Sequence, residues 1–390
     1  MHIPEYFEFF NKSKISSGKK ALENIPFDLR SMNATKPLVV TDALSVKQGF
    51  VKVLKTSFND SGMVIGAVYD GVNSYPSTSE VRELASLYRD RGCDSIIALG
   101  GSAPASVAKG LNILVSNKSN NLMEYADMSK SAELRPFILV PTSDASGTEA
   151  SNEAMLDARI YRSHDLMPDI IVIDPRMMGK NDVHQTVNAG LLGIVQAIES
   201  CNISVSNVIN DSFAFASISL IGEKINSTAA CKCKKKERAA LINGVTISGI
   251  VYSNAPEGLA RAIGFEAEKM TGNPAGICAG IVLAYLLDYK LSSIKSGVRG
   301  ELFLPLAGID KYCSIPEEDR PEAGVDALFK LLDNLDRQIP RNLKEMNIPE
   351  YMINKIAAAA EERTGTLFPK GTALKVLQNA YHGKKSAEVR

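Results

Sequence analysis

Five uninterrupted apolar runs of strand length punctuate the first half of this chain, and they constrain its fold more than any other feature. They are "KPLVVTD" (36–42), "GMVIGAVYD" (62–70), "DSIIALGG" (94–101), "PFILVPT" (136–142) and "DIIVIDP" (169–175). A strand with one face in water alternates apolar and polar residues, whereas continuous runs mark strands covered on both faces, as in a parallel sheet. Parallel strands need crossovers, and the stretches between the runs are helical in pattern. In "STSEVRELASLYRDRG", Ser77 and Glu80 stand in capping-box spacing and Gly92 closes the segment, which predicts one complete β-α-β unit.

Beyond about residue 177 the strand signals stop. Helical segments follow at 186–201, 205–225, 236–253, 257–270 and 275–290, with "YMINKIAAAAEER" and "TALKVLQNAY" clearest near the end. A chain of 390 residues, 45% of them hydrophobic, is too long for one compact core. The expected architecture is an α/β, Rossmann-like dinucleotide-binding domain over 1–177 and an all-α domain over 178–390, with a cleft between them as the place for a ligand.

Lys plus Arg and Asp plus Glu number 44 each, which removes any global electrostatic reason to expect nucleic acid, an anionic membrane or an acidic partner. The one basic run, "KCKKKER" (232–238), reads as a solvated helix start. The N-terminus lacks the basic start and apolar core of a signal peptide, and no apolar stretch is read as long enough to cross a bilayer. The six cysteines have no disulfide-framework spacing, and the C-x-C at 231 and 233 has no partner ligands, so a reducing cytoplasm is the expected location.

Three loops of small and polar residues follow strands. "ALGGSAPASVAKG" (98–110) sets glycines between a strand and a helix; such a turn offers N–H groups to a phosphate, and it also serves a tight turn for steric reasons alone. Asp42, at the end of the first run, suits a ribose hydroxyl, favouring NAD over NADP, and suits equally an N-cap for "ALSVKQGFVKVL". The third is "PTSDASGTEAS" (141–151). Three such loops along the carboxyl edge of a parallel sheet suggest a nucleotide crevice.

The order of "VVTD", "YDGVNSYPSTSEV", "GCDSIIALGGSAPASVAKG", "PTSDASGTEAS", "VIDP", "TVNAGLLGIVQAIES" and "SNAPEGLARAIGFEAEKMTGNPAGIC" resembles the iron-dependent (group III) alcohol dehydrogenase family across essentially the whole chain. The resemblance implies the dehydroquinate synthase-like fold of that family, a dinucleotide domain followed by a helical, metal-holding domain. It implies that Asp42 contacts the adenosine ribose, that Gly100, Gly101 and Ser102 lie against the pyrophosphate, and that Thr142, Ser143, Ser146 and Gly147 line the adenine and nicotinamide side. The family's phosphate loop, G-G-G-S-x-x-D-x-A-K, has Ser102 at its third glycine, Ala103 at its serine and Ser106 at its aspartate here, while Ala108 and Lys109 are kept. In the next loop Ala145 replaces a glycine and Ser146 a threonine. These changes weaken dinucleotide binding without abolishing it.

The metal positions depart further. In the family the helix matching "TVNAGLLGIVQAIES" carries an Asp and a His four residues apart, both metal ligands, and here they align with Leu192 and Gln196. Two more ligand histidines align with Arg261 and Ala275, and the histidine beside the nicotinamide aligns with Phe265. Gln196 is either the remnant of a ligand position or a satisfied amide in a helix core. One amide and one guanidinium cannot hold a divalent ion, so no metal is expected.

Three functions remain open on the sequence. One is metal-independent hydride transfer between NAD and an alcohol or aldehyde, with Arg261 as the candidate catalytic group orienting the substrate oxygen. Another is a catalytically silent homologue that binds a dinucleotide or another small anion, or serves as a scaffold or regulatory subunit. The third is a new metal-free activity on a phosphorylated or carboxylated substrate, anchored by Arg261. In each case the family's habit implies a homodimer or larger assembly.

Overall fold

The computed structural model describes residues 4–125, 132–143, 145–157, 159–179, 183–201, 207–229, 234–293, 297–335 and 339–386. In chain order its strands are β1 (Lys14–Ser17), β2 (Pro37–Thr41), β3 (Ala67–Tyr69), β4 (Ser95–Gly100), β5 (Phe137–Pro141), β6 (Glu153–Leu156), β7 (Arg159–Arg162) and β8 (Ile170–Ile173). Helices α1 (Ile25–Ser31), α2 (Ala43–Lys47), α3 (Phe50–Thr56), α4 (Thr78–Asp90) and α5 (Ser102–Ser116) lie among them. Then come α6 (Val183–Cys201), α7 (Val208–Ala229), α8 (Lys235–Ser253), α9 (Leu259–Thr271), α10 (Ala275–Ser293), α11 (Phe303–Ala307), α12 (Ile309–Ser314), α13 (Arg320–Asp333), α14 (Ile353–Thr364) and α15 (Thr372–His382).

Two compact units result. One comprises Phe10–Asp182 together with Lys234–Ser253, and the other Met1–Phe9, Val183–Cys233 and Asn254–Arg390. Helix α8 therefore belongs to the α/β unit although it lies within the helical stretch of the chain.

In the α/β unit six strands form one sheet in the order β1-β8-β5-β4-β2-β3, and every pairing is parallel. Strands β2, β4, β5 and β8 are buried along their whole length, as their unbroken apolar runs demand. On one face Leu38, Val40, Ile96 and Ala98 pack with Val81 and Leu84 of α4 and with Val107 and Leu111 of α5. The run at 62–70 yields only three paired residues, because β3 is a half-buried edge strand. Strand β1 and the antiparallel β6–β7 hairpin carry no apolar run, and the sequence reading has neither. Ser77 caps α4 by accepting the Glu80 N–H at 3.2 Å. Glu80 does not reach back to complete the box; its carboxylate accepts from the Tyr69 hydroxyl and the Asn73 N–H.

In the helical unit α6 packs on α7 and α10, α10 on α9, and α14 on α9 and α15. Helix α10 corrects the expectation about membrane-length segments: by length and composition it is able to cross a bilayer. Its residues from Ala275 to Leu287 are instead buried among its neighbours, which is what an all-round apolar helix requires. The described part of the basic run behaves as a solvated helix start, with Lys234, Lys235 and Lys236 exposed, while Cys231 and Cys233 lie outside the described residues.

Candidate functional site

Two places in the molecule gather the residues singled out above, one in each unit. In the α/β unit, the carboxyl ends of the neighbouring strands β2, β4 and β5 deliver Asp42, Gly100 and Thr142 to the same sheet edge. Gly100 has φ +142°, and a Cβ there would stand 2.8 Å from Pro104 Cγ and 3.1 Å from Asp42 Oδ2. Only glycine suits that turn. Gly101 is the N-cap of α5 and Ser102 its first residue, so the first-turn N–H groups and the positive end of a 15-residue helix point out of the sheet edge. Pro104 brings no N–H to that turn. The half-buried Asp42 caps α2, its Oδ1 accepting the Ser45 N–H at 2.7 Å, while Oδ2 lies on the Gly100 side.

The other cofactor candidates are tied to the protein itself. Thr142 and Ser143 are buried, and Ser143 Oγ accepts the Gly179 N–H at 3.0 Å. Ser106 Oγ accepts the Met155 N–H at 3.2 Å. The Lys109 ammonium, fully buried, donates to the carbonyls of Thr148, Ser151 and Glu153, each at 2.7 Å. Burial lowers its pKa to about 7, against the pull of the Glu153 and Glu149 carboxylates. Ser146 and Thr148 share a hydroxyl contact of 2.8 Å.

Helix α8 completes this region. The Thr246 hydroxyl donates to the buried Glu149 carboxylate at 3.0 Å, and Glu149 also takes the Ser146 N–H; burial raises its pKa. Tyr252 donates to Glu153 at 2.7 Å, and Arg162 pairs with the same carboxylate. Gly249 lies so close to the backbone of Gly147, which has φ +83°, that a Cβ would overlap the Gly147 carbonyl.

The second place is in the helical unit. Asn188, Leu192, Gln196 and Glu199 share one face of α6 at successive turns. At one end the Asn188 side chain accepts the Ile277 N–H in the first turn of α10, at 3.1 Å. At the other end the Glu199 carboxylate accepts the N–H groups of Ala260 and Arg261, at 2.7 and 3.1 Å, and so caps α9 from a distance. Burial raises the Glu199 pKa to about 7, opposed by those two N–H groups. Leu192 and Gln196, each 2% exposed, lie on that face between the two anchors. Ala275 begins α10 and Arg261 lies in the first turn of α9.

The four positions that the resemblance aligns with metal ligands thus present two hydrocarbon side chains, one amide and one guanidinium. That guanidinium is buried and ion-paired with Glu257, four residues earlier. The second Glu257 oxygen accepts from Arg363 Nε at 2.7 Å, and Arg363 also lies 3.5 Å from Glu266. Both guanidinium groups stand against the ring of Phe265, at 4.5 Å for Arg261 and 5.4 Å for Arg363. The group amounts to two carboxylates, two guanidiniums and one aromatic ring, balanced in charge. Glu257 and Arg363 escaped the sequence reading. The i,i+4 spacing of Glu257 and Arg261 could have revealed the first, whereas no local signal connects Arg363 to them across more than a hundred residues. Among the described residues no three or more His, Cys, Asp or Glu converge as a metal-binding group.

A parallel sheet with a glycine turn at its carboxyl edge, followed by a helical unit, defines a nucleotide-type α/β protein joined to an all-α partner unit. Comparison with known proteins narrows this class. The iron-containing alcohol dehydrogenase profile matches residues 12–175, and the profile for the C-terminal part of the Fe-containing alcohol dehydrogenase family matches residues 186–378. The chain belongs to the iron-containing alcohol dehydrogenase family. Among its relatives are the lactaldehyde reductase of Escherichia coli K12, 24% identical over 94% of this chain and 96% of that protein, and the NAD-dependent methanol dehydrogenase of Bacillus methanolicus, 22% identical over 88% and 91%. Similar solved structures include a 1,3-propanediol oxidoreductase, with TM-score 0.86 and 20% identity over 97% of this chain and all of that one. Another is the sulfoacetaldehyde reductase of Bifidobacterium kashiwanohense in complex with NAD+, with TM-score 0.82 and 20% identity over 98% of this chain and all of that one.

Proposed function

We propose that this protein binds NAD at the carboxyl edge of its α/β sheet and carries no divalent metal in its helical unit, so that any alcohol or aldehyde oxidoreduction it performs is metal-independent. The nucleotide half of the reading rests on the Gly100–Ser102 turn between the ends of β2 and β5, with Asp42 beside it, and on the NAD-linked relatives. The metal half is carried by one observation: Arg261, which the resemblance aligns with a ligand histidine, is a buried cation ion-paired with Glu257. A divalent ion beside it would meet a cation and hydrocarbon in place of carboxylate and imidazole donors.

A second reading, a nucleotide-binding homologue without catalytic activity, is favoured by the same cluster. A catalytic Arg261 would have to leave both Glu257 and the face of Phe265 to meet a substrate, and the resemblance aligns Phe265 with the family's histidine beside the nicotinamide. Glu199, a buried carboxyl pushed up to about 7, is spent on capping α9.

The test is a calorimetric titration of metal-analysed protein with NADH, followed by a screen of alcohols and aldehydes with wild type and Arg261→Ala. Binding in the absence of metal supports the nucleotide reading, and no binding defeats it. Turnover that requires added iron or zinc defeats the metal-free half, whereas turnover lost on Arg261→Ala would place that residue in the chemistry and defeat the silent reading.

A further inference from the structure

Among the described residues, Lys109 is the one lysine whose ammonium is both fully buried and bonded to carbonyl groups of a single loop. Residues Ser102, Ser106 and Lys109 fall at i, i+4 and i+7 and so share one face of α5. The first belongs to the glycine turn. The second accepts the Met155 N–H of β6, and the third takes the carbonyls of Thr148, Ser151 and Glu153. An ammonium has three donors and no acceptor, and here each donor has its own carbonyl. A planar guanidinium could not meet three acceptors spaced around one point, and a hydrocarbon would leave three buried carbonyls without their cationic donor.

We propose that Lys109 is a positioning residue for the cofactor: anchored in α5, its ammonium sets the course of the 145–153 loop, and so fixes that loop relative to the Gly100–Ser102 turn at the start of the same helix. The inference rests on the nucleotide reading above. The loop is held from its other side by α8, through Thr246 on Glu149, Tyr252 on Glu153 and Gly249 against Gly147. With both sides engaged, the geometry of the two segments that flank the nucleotide becomes a property of the interior. Cofactor affinity should then respond to a side chain that never touches the cofactor.

The experiment compares wild type, Lys109→Met and Lys109→Arg by amide hydrogen exchange and by NADH affinity from fluorescence of the reduced nicotinamide. Lys109→Met is expected to speed exchange in peptides covering 145–153 at least tenfold, leave peptides of the 70–77 loop unchanged, and weaken NADH binding at least tenfold. Lys109→Arg, which retains the charge without the threefold geometry, should move both readouts in the same direction by less, and it carries the test should the methionine variant not fold. Unchanged exchange at 145–153, or a uniform rise over the whole α/β unit, would overturn the anchoring role. A local rise with unaltered NADH affinity would overturn the positioning of cofactor. Failure of wild type to bind NADH would overturn the nucleotide reading and the cofactor half of this inference, while exchange would still decide whether Lys109 anchors the loop.

Discussion

Glu257 should be the most sensitive residue of the buried charge cluster, and the asymmetry between it and Arg261 is measurable. Its two carboxylate oxygens each receive a different guanidinium, Arg261 on one and Arg363 on the other. Glu257→Gln removes a charge that faces both cations and offers a single acceptor in its place. Breaking a buried ion pair from one side costs about 3–5 kcal/mol, because the partner's charge stays behind. Arg261→Met is milder: Glu257 keeps Arg363 as counter-ion, and the methionine retains much of the packing. The loss then includes the charge-assisted hydrogen bond to Glu257 and the guanidinium–ring contact, about 2 kcal/mol together. In the double variant Glu257→Gln, Arg261→Met one stranded cation is gone, so the cost should fall well short of the sum of the singles, by about 1–2 kcal/mol. The chain has no tryptophan, so urea unfolding is best followed by far-UV circular dichroism. If Glu257→Gln proves no more destabilising than Arg261→Met, or if the two are additive, the carboxylate is not the hub and the cluster does not act as a unit.

Gly249→Ala should cost about 1–3 kcal/mol and weaken NADH binding, since its Cβ would meet only backbone at Gly147 and neither segment yields without moving the loop; normal affinity would refute the close contact. Gly258→Ala drives a methyl into the Glu199 carboxyl, which must then abandon two N–H groups of α9, so a loss of about 1–3 kcal/mol is expected in thermal melts. Glu199 also predicts a pH effect. Its carboxyl moves from 4.5 to about 7 in the folded state, so the native form binds the extra proton between those values. That stabilisation, at most about 3 kcal/mol, is fully present below pH 4.5 and fades as pH rises through 7. The melting temperature of Glu199→Gln should show a flatter decline across pH 5–7 than wild type; parallel curves would sink the assignment. Finally, EDTA should leave the melting temperature unchanged, and a clear drop would reveal a stabilising metal.

The parallel sheet was legible because burial on both faces writes itself as uninterrupted apolar runs, and four of the five runs are strands of nearly the expected extent. Amphipathic and capped helices were equally readable, α4 through Ser77 and α15 through its spacing. Strands β1, β6 and β7 were not, since "KISS" and "RIYR" are stabilised by edge pairing and side-chain bonds in place of apolar content. At the candidate sites, the aligned residues named the positions, but their bonding partners were hidden. Lys109 reads in sequence as the lysine of the family's phosphate-loop pattern and in space as a donor to three carbonyls. Arg261 reads as an available charge, yet it is held by Glu257 at a helical spacing visible in the sequence and backed by Arg363 at a distance that is not. Local pattern records what a residue does to its own segment; pairing across a hundred residues leaves no such trace.

The excursion of α8 has a consequence for how the protein is made. The α/β unit is not complete when residue 182 leaves the ribosome, because Thr246, Gly249 and Tyr252, which clasp the loop after β5, are still unwritten. At 5–20 residues per second the wait is about 4–14 s, far longer than a helix needs to form or a hairpin to close. During that interval the loop after β5 lacks its partners on α8, while the first two helices of the other unit have already been synthesised. A fragment ending near residue 182 would carry every strand of the sheet and still lack the helix that fastens the loop after β5.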